Sequence, residues 1–272
     1  MKQRVAFIRS GGLGDFILTL PILEQAKQEY DEVFLFTRSL YRVLLPSCED
    51  SLIVKDIDRE LGDLATVLPG SDVISFWKDE EWKVELERGG ARQIFFPDPR
   101  PSGKIPFGEN AFAAMGWSWP EDYSKKAWLG NHWSEDRSSL WIHPGSGSPQ
   151  KNGSLEGFFY WARKWLGKNL SNKVCFSFGE ADQDLLLQFN KMELSGHERI
   201  RTFEMPEIDE FKRCMASEAA VFLGNDSGPG HLAAALGIPT NLVFRSTEKS
   251  VWVPLGPRVR TYQSLSEASR IL

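Results

Sequence analysis

The sequence lacks most features that mark specialised classes of protein. Its three cysteines (Cys48, Cys175 and Cys214) are widely spaced and include no CxxC pair, so neither a disulfide framework nor a zinc site is expected, and a reducing cytoplasm fits. No run approaches the roughly 20 apolar residues that a membrane span requires. Asp and Glu (37) outnumber Lys and Arg (32), which argues against a nucleic-acid-binding surface. Internal repeats and low-complexity tracts are absent.

The composition that remains is ordinary for a globular protein. The 272 residues are 42% hydrophobic and 25% charged, a length that suits one large domain or two medium ones. Ten tryptophans are many for this length. Several lie close together in the sequence: Trp117, Trp119, Trp128, Trp133 and Trp141. A tryptophan ring can stack on a sugar, but packing in the core is the favoured interpretation.

Apolar runs and helical spacing alternate along the chain, which predicts an α/β fold with parallel sheets covered on both faces. The first array begins with a strand at residues 5–8, and residues 96–120 are its least regular part. The polar segment 130–139 is interpreted as an interdomain linker, after which the pattern restarts. We therefore predict two Rossmann-like domains, residues 1–133 and 134–272.

The most informative segment is GNDSGPGH, from Gly224 to His231. An apolar run precedes it and a helix-forming run follows, which predicts a strand, a glycine-rich turn and the start of a helix. Such a turn leaves backbone N–H groups free at the positive end of a helix, where an anion binds. The alternative is a tight structural connection with Asp226 or Ser227 as N-cap, and the segment alone leaves both open.

A second glycine-rich segment, GGLGD, ends at Asp15. Gly12 and Gly14 supply only the first half of a dinucleotide fingerprint, and Ile17 stands where its third glycine belongs. An NADP site therefore has little support. Asp15 is a candidate general base at the mouth of the sheet. The alternative is an acid that the helix dipole stabilises in the first turn.

Two further loops lie in the second half of the chain. The loop from His143 to Lys151 offers backbone N–H groups beside a lysine that can neutralise a phosphate. Glu180 follows the next strand, where Rossmann-like domains carry an acid that binds ribose hydroxyls. Together with the segment from Gly224 to His231, these loops follow the first, second and fourth strands of one array. We expect them to converge at one sheet edge and to form a nucleotide-diphosphate site.

Three motifs resemble those of glycosyltransferase family 9, the ADP-heptose:lipopolysaccharide heptosyltransferases. The segment from Ser10 to Asp15 with Leu20-Pro21 is similar to the N-terminal motif of that family, and His143-Pro144-Gly145 through Lys151 is similar to its central motif. The segment from Asp226 to Pro239 matches its C-terminal signature. The three motifs occur in the family's order.

The resemblance implies a GT-B fold, with two Rossmann-like domains whose parallel sheets face each other across a cleft. It implies an acceptor-binding first domain and a nucleotide-sugar-binding second domain. Inverting, metal-independent transfer of a heptose or similar sugar from an ADP-sugar donor to a surface-glycan or lipopolysaccharide-type acceptor is the expected activity, with no cofactor. A monomer in the cytoplasm is expected, and a peripheral membrane association through a glycolipid acceptor is left open.

The resemblance also implies roles for individual residues. Asp15 is the expected catalytic base, with Gly12 and Gly14 in the acceptor-side loop. Glu180 is expected at the donor ribose. The residues expected around the donor diphosphate are Lys151, Asp226, Ser227, Gly228 and His231.

The chain also departs from the family pattern. Gly153-Ser154 stands where family members carry Trp-Pro, and the first domain is short. The alternative functions are a nucleotide-sugar epimerase on the same fold and a non-catalytic nucleotide-sugar-binding protein.

Overall fold

A computed structural model describes residues 3–45, 51–204 and 207–267, so Cys48 lies outside the described residues. The chain divides into two compact units, Met1–Tyr123 and Ser124–Leu272. None of the helices in the described ranges is long and apolar enough to cross a membrane.

The N-terminal unit is built on a five-stranded sheet whose paired strands are all parallel. The strands are β1 (Arg4–Ile8), β2 (Glu32–Thr37), β3 (Leu52–Asp56), β4 (Asp72–Ser75) and β5 (Gln93–Phe95). Their order is β3-β2-β1-β4-β5, so β1 lies at the centre. Four of the five residues of β1 are buried, which is why it reads as a continuous apolar run.

Helices and 3₁₀ turns connect these strands or follow the last of them. The helices are α1 (Leu13–Leu18), α2 (Leu20–Glu29), α3 (Leu64–Val67), α4 (Glu80–Arg88) and α5 (Phe107–Ala114), and the 3₁₀ turns are Ser39–Leu44, Leu61–Asp63 and Glu121–Lys125. The helical pattern predicted after Asp15 is thus two helices, which meet at Thr19. Pro21 lies in the first turn of α2, where its missing N–H costs no hydrogen bond.

The C-terminal unit contains a six-stranded parallel sheet. Its strands are β6 (Ser139–His143), β7 (Lys173–Phe178), β8 (Ile200–Glu204), β9 (Ala219–Asn225), β10 (Thr240–Val243) and β11 (Val259–Tyr262). The helices are α6 (Leu155–Lys168), α7 (Gln183–Asn190), α8 (Ile208–Glu218), α9 (Gly228–Ala235) and α10 (Lys249–Trp252), and the 3₁₀ turns are Pro149–Lys151, Glu180–Asp182 and Glu193–Gly196. The sheet order is β11-β10-β9-β6-β7-β8.

Two local predictions need correction. The irregular segment 96–120 contains α5, whose apolar residues Phe107, Ala111 and Phe112 are almost completely buried. Their helical spacing is hidden in the sequence by the surrounding prolines and glycines.

The segment 130–139 is not a free linker, because its backbone and side chains bond to the C-terminal unit. His132 N donates to Leu236 O (3.0 Å), and the Trp133 indole donates to Ala220 O (3.0 Å). These bonds place the segment within the second unit, so the units divide after Tyr123 rather than after residue 133.

The clustered tryptophans are mainly packing residues. Phe112 lies edge-on to Trp117 (5.6 Å between ring centroids) and Trp119 (4.9 Å), and Trp141 is completely buried. Arg258 lies over the ring of Trp133. The packing interpretation is therefore confirmed for these four residues.

Candidate functional site

The loops after β6, β7 and β9 emerge side by side, because β6 pairs with both β7 and β9. The predicted convergence at one sheet edge is thus confirmed. Asn225, completely buried at the end of β9, joins two of the loops. Its Nδ2 donates to Pro144 O (2.6 Å), and its Oδ1 accepts a bond from Gly153 N (2.9 Å). The sequence alone does not predict this role, although an asparagine that ends a buried apolar strand is a visible signal.

Lys151 and Asp226 meet at this edge. Nζ of Lys151 lies 3.0 Å from Oδ2 of Asp226, and the hydroxyl of Thr247 donates to the same oxygen (2.6 Å). Nε2 of His231 lies 3.8 Å from Oδ1, the other carboxylate oxygen. A nearly buried carboxylate therefore gathers a lysine, a hydroxyl and an imidazole. Thr247 was not predicted as a site residue.

The environment of Asp226 keeps its carboxylate charged. Burial by itself would raise the pKa of Asp226, but the proximity of His231, the hydrogen bond from Thr247 and the charge of Lys151 outweigh burial and lower this pKa to about 2. Asp226 is consequently an anion at neutral pH, and it holds Lys151 by attraction.

The N-terminus of α9 follows directly. Ser227 is the N-cap residue in extended conformation, but its side chain does not cap the helix and its hydroxyl instead donates to Asn225 O (3.2 Å). Among the described residues, His231 Nδ1 is buried without a hydrogen-bond partner. The start of α9, with Ser227 and Gly228, therefore keeps N–H groups available for an anion.

A second buried pair lies under the adjacent loops. His143 Nδ1 contacts Ser177 Oγ (3.1 Å), and its Nε2 lies 3.5 Å from Asp182 Oδ2, which also accepts a bond from Gly179 N (2.8 Å). Burial lowers the pKa of His143, and the attraction of Asp182 offsets this only in part. We interpret His143 as a neutral, satisfied structural residue.

Glu180, the predicted ribose acid, is exposed in the 3₁₀ turn after β7. It makes no hydrogen bond or ion pair within the described part of the chain, so its carboxylate is accessible to a ligand. The structure does not bring it into contact with the group around Asp226.

The departure from the family pattern at Gly153-Ser154 has a local explanation. Gly153 N bonds to Asn225, and Ser154 is the N-cap of α6, where its Oγ accepts a bond from Gly157 N (3.2 Å). The loop that carries Lys151 is therefore anchored immediately after the lysine by a strand-end asparagine and a capped helix.

In the N-terminal unit, Asp15 lies in the first turn of α1. Its Oδ2 accepts a bond from Gly12 N (3.1 Å), and its Oδ1 lies 3.2 Å from Nη2 of Arg9. The side chain is 40% exposed, so the carboxylate can reach a ligand while it is held at both oxygens. Gly14 is in the same turn. Both proposed roles, helix-end acid and base, are compatible with this geometry.

Within the described residues, no group of three or more His, Cys, Asp or Glu side chains is arranged to hold a metal ion.

Residues 207–270, which include α8, β9 and α9, match the family model of glycosyltransferase family 9 (heptosyltransferase). The resemblance to glycosyltransferase family 9 is confirmed. The match bears out the predicted enzyme class, a glycosyltransferase. No curated protein matches the chain.

Solved structures of this family share the fold. The glycosyl transferase family 9 protein from Veillonella parvula DSM 2008 is 16% identical with a TM-score of 0.69, over 99% of this chain and 92% of that chain. E. coli ADP-heptose lps heptosyltransferase II is 15% identical (TM-score 0.69; 96% and 90% covered). E. coli heptosyltransferase WaaC with ADP is 14% identical (TM-score 0.69; 98% of both chains). The predicted fold class, α/β of the GT-B type with two Rossmann-like domains, is confirmed.

Proposed function

We propose that this protein is an inverting, metal-independent glycosyltransferase. It moves a heptose or similar sugar from an ADP-sugar donor to a surface-glycan or lipopolysaccharide-type acceptor. The observation that carries the proposal is the pairing of Lys151 with the Asp226 group at the N-terminus of α9. The names of the similar structures, which include ADP and ADP-heptose, support the choice of donor.

The C-terminal unit supplies what a leaving diphosphate requires. Breaking a sugar–phosphate bond places growing negative charge on the diphosphate, which positioned N–H groups and a cation stabilise without a metal ion. Lys151, the start of α9 at Ser227 and Gly228, and His231 are these groups. Glu180, accessible after β7, binds the ribose hydroxyls.

Asp226 acts through its neighbours in this scheme. A carboxylate that is charged at neutral pH repels a diphosphate, so direct contact would weaken donor binding. Its ion pair instead holds the Lys151 side chain in position, and its second oxygen faces His231. We therefore propose Asp226 as a positioning residue for the diphosphate site.

The N-terminal unit supplies the base. Asp15 removes the proton of the acceptor hydroxyl as that oxygen attacks the face of the sugar opposite the diphosphate. One carboxylate is sufficient, because the diphosphate leaves without the acid that a glycoside hydrolase needs. Gly12 and Gly14 shape the acceptor-side loop around this carboxylate.

Two experiments test the proposal. Thermal-shift measurements with ADP-, UDP-, GDP- and CMP-sugars identify the donor, since a ligand that binds the folded state raises its apparent stability. Stabilisation by the ADP-sugar is expected, whereas stabilisation by UDP- or GDP-sugars alone would reject the ADP assignment. Transfer, followed as ADP release from ADP-heptose with heptose-deficient lipopolysaccharide, should be unchanged by EDTA, and a strict magnesium requirement would contradict the charge-stabilisation mechanism.

Asp15→Asn separates the enzyme from the alternatives. We expect it to abolish transfer and to leave ADP binding within a few-fold, because the diphosphate groups lie on other residues. Asp79→Asn, which alters the N-cap of α4 in the same unit, is the matched control and should retain transfer. Full turnover by Asp15→Asn would remove the base assignment, and ADP binding without any transfer by the wild type would favour a binding protein.

A further inference from the structure

Arg9 lies directly after β1 and is only 4% exposed. Its guanidinium carbon is 4.5 Å from the ring centroid of Phe76 and 5.4 Å from that of Phe107. Its Nη2 lies 3.2 Å from Asp15 Oδ1 and 3.4 Å from Asp15 O. A buried cation, packed against two aromatic rings, thus contacts both the side chain and the backbone of Asp15.

Burial of the Arg9 charge costs free energy unless other contacts compensate for the lost solvation. Burial lowers the pKa of Arg9, and the charges of Asp15 and then Tyr41 oppose that effect. An arginine nevertheless remains protonated in proteins. Among the described residues, its Nε is buried without a hydrogen-bond partner, so the contacts with Asp15 and the rings are the main compensation for its burial.

We propose that Arg9 is a positioning residue that fixes the orientation of the Asp15 carboxylate for proton abstraction. The inference deepens the proposed function and rests on it. A base accepts the acceptor proton only when its carboxylate oxygen is held within hydrogen-bond reach of the hydroxyl, and a fixed cation at one oxygen limits the orientations of the carboxylate. The second oxygen is held by Gly12 N, so the carboxylate is held from two sides.

Other charged and titratable groups near Asp15 come from the segment after β2. Tyr41 stacks on Phe16 (4.7 Å between centroids) and its hydroxyl donates to Gly11 O (2.9 Å). Burial raises the pKa of Tyr41, with Arg38 opposing and Asp15 adding to that rise, so Tyr41 is neutral at the pH where a carboxylate titrates. Arg38 is exposed and screened by solvent. Arg9 is therefore the buried cation that acts on Asp15.

Removal of the Arg9 charge provides the test, and its first readout needs no substrate. The position of the Asp15 carboxylate is determined from crystal structures of the wild type and the variants. In Arg9→Met the carboxylate should leave the position in which it faces residue 9 and accepts a bond from Gly12 N. Arg9→Lys, which keeps a charge, should restore most of the wild-type position. Arg92→Met, which breaks the 2.7 Å pair with Asp72 in the same unit, controls for loss of an arginine–aspartate pair and should leave the Asp15 carboxylate in place.

The second readout is the steady-state kinetics of transfer. In Arg9→Met kcat should fall by about 10-fold or more, because small misplacements of a reacting group are costly, while the affinity for ADP stays close to wild type. An Asp15 carboxylate that keeps its position in Arg9→Met overturns the inference, whatever the activity. A carboxylate that moves while kcat does not change supports the action of Arg9 on Asp15 and shows instead that the base assignment in the proposed function is wrong.

Discussion

Nζ of Lys151 and Oδ2 of Asp226, from positions 75 residues apart in the chain, lie 3.0 Å from each other at the edge of the C-terminal sheet. The lysine side chain is partly exposed and the carboxylate is almost completely buried. The buried Asp226 carboxylate therefore fixes the position of the partly exposed Lys151 ammonium group. This orientation suits a phosphate-binding lysine, since the ion pair limits the conformations of a long, flexible side chain.

Loss of the Lys151 charge should damage catalysis more than folding. We expect Lys151→Met to lower kcat/KM by about 100-fold, the usual cost of removing one group that stabilises developing charge. The methionine keeps most of the apolar stem and Asp226 keeps its bond from Thr247, so losing the ion pair should lower the melting temperature only modestly. Lys164→Met, at an exposed position of α6, is the matched control and should retain wild-type kinetics. Steady-state kinetics that are equal in the two variants would rule out the proposed role of Lys151.

Asp226 should make stability depend on pH in acid. Its pKa falls from 3.8 to about 2 on folding, so the native state favours the charged form. The stability gained is fully present above about pH 4 and is lost as pH falls through about 2, and it amounts to about 2 kcal/mol. The difference in free energy of unfolding between wild type and Asp226→Asn should therefore be larger at pH 5 than at pH 2.5, as measured by urea denaturation.

The exposed Asp209, in the first turn of α8, provides the control for this measurement. The corresponding difference between wild type and Asp209→Asn should vary much less with pH over the same range. A difference that is constant for Asp226→Asn as well would mean that the buried ion pair does not stabilise the folded state.

The sheet edge could be predicted from the sequence because it depends on local patterns. Apolar runs locate parallel strands, and parallel strands place their following loops at one edge. The loops that carry Lys151, Asp226 and His231 are located in this way, and the resemblance to the family adds their expected roles. The helix α5 was not, since prolines and glycines on both sides of Phe107 conceal its helical spacing.

Roles that depend on tertiary contact could not be predicted. Two acids follow β7, Glu180 and Asp182, and only the structure shows that Asp182 is the one buried against His143. Arg9 reads as an interruption of an apolar run, yet it is buried against two aromatic rings from distant segments. In each case the residue that determines the role of the side chain is distant in the sequence and contacts it only in the folded structure.

Two glycines of the loop after β6 should differ sharply in their tolerance to alanine. A Cβ on Gly145 would lie 1.9 Å from Asp182 Oδ1, whereas one on Gly147 would meet nothing within 4 Å. Gly145→Ala must displace the buried carboxylate that contacts His143, and we expect a loss of about 1–3 kcal/mol. Gly147→Ala should leave the melting temperature unchanged. Equal melting temperatures for the two variants would contradict the close packing of Gly145 against Asp182.

Gly11 and Gly12 form a similar matched pair beside the proposed base. A Cβ on Gly11 would lie 2.8 Å from Cβ of Asp15 and 3.0 Å from its Oδ2, while a Cβ on Gly12 would approach that oxygen only to 3.8 Å. Gly11→Ala must therefore shift the Asp15 side chain. Because that side chain is partly exposed and can move toward solvent, the displacement should affect geometry more than stability.

We accordingly expect Gly11→Ala to lower kcat by about 10-fold or more, since small misplacements of a reacting group are costly. Its melting temperature and its affinity for ADP should stay close to wild type, because the diphosphate-binding residues belong to the other unit. Gly12→Ala should keep most of the activity. If both variants lose activity equally, the loop backbone rather than the position of the Asp15 carboxylate limits transfer. If neither does, Asp15 does not act on the acceptor from the position that the structure gives it.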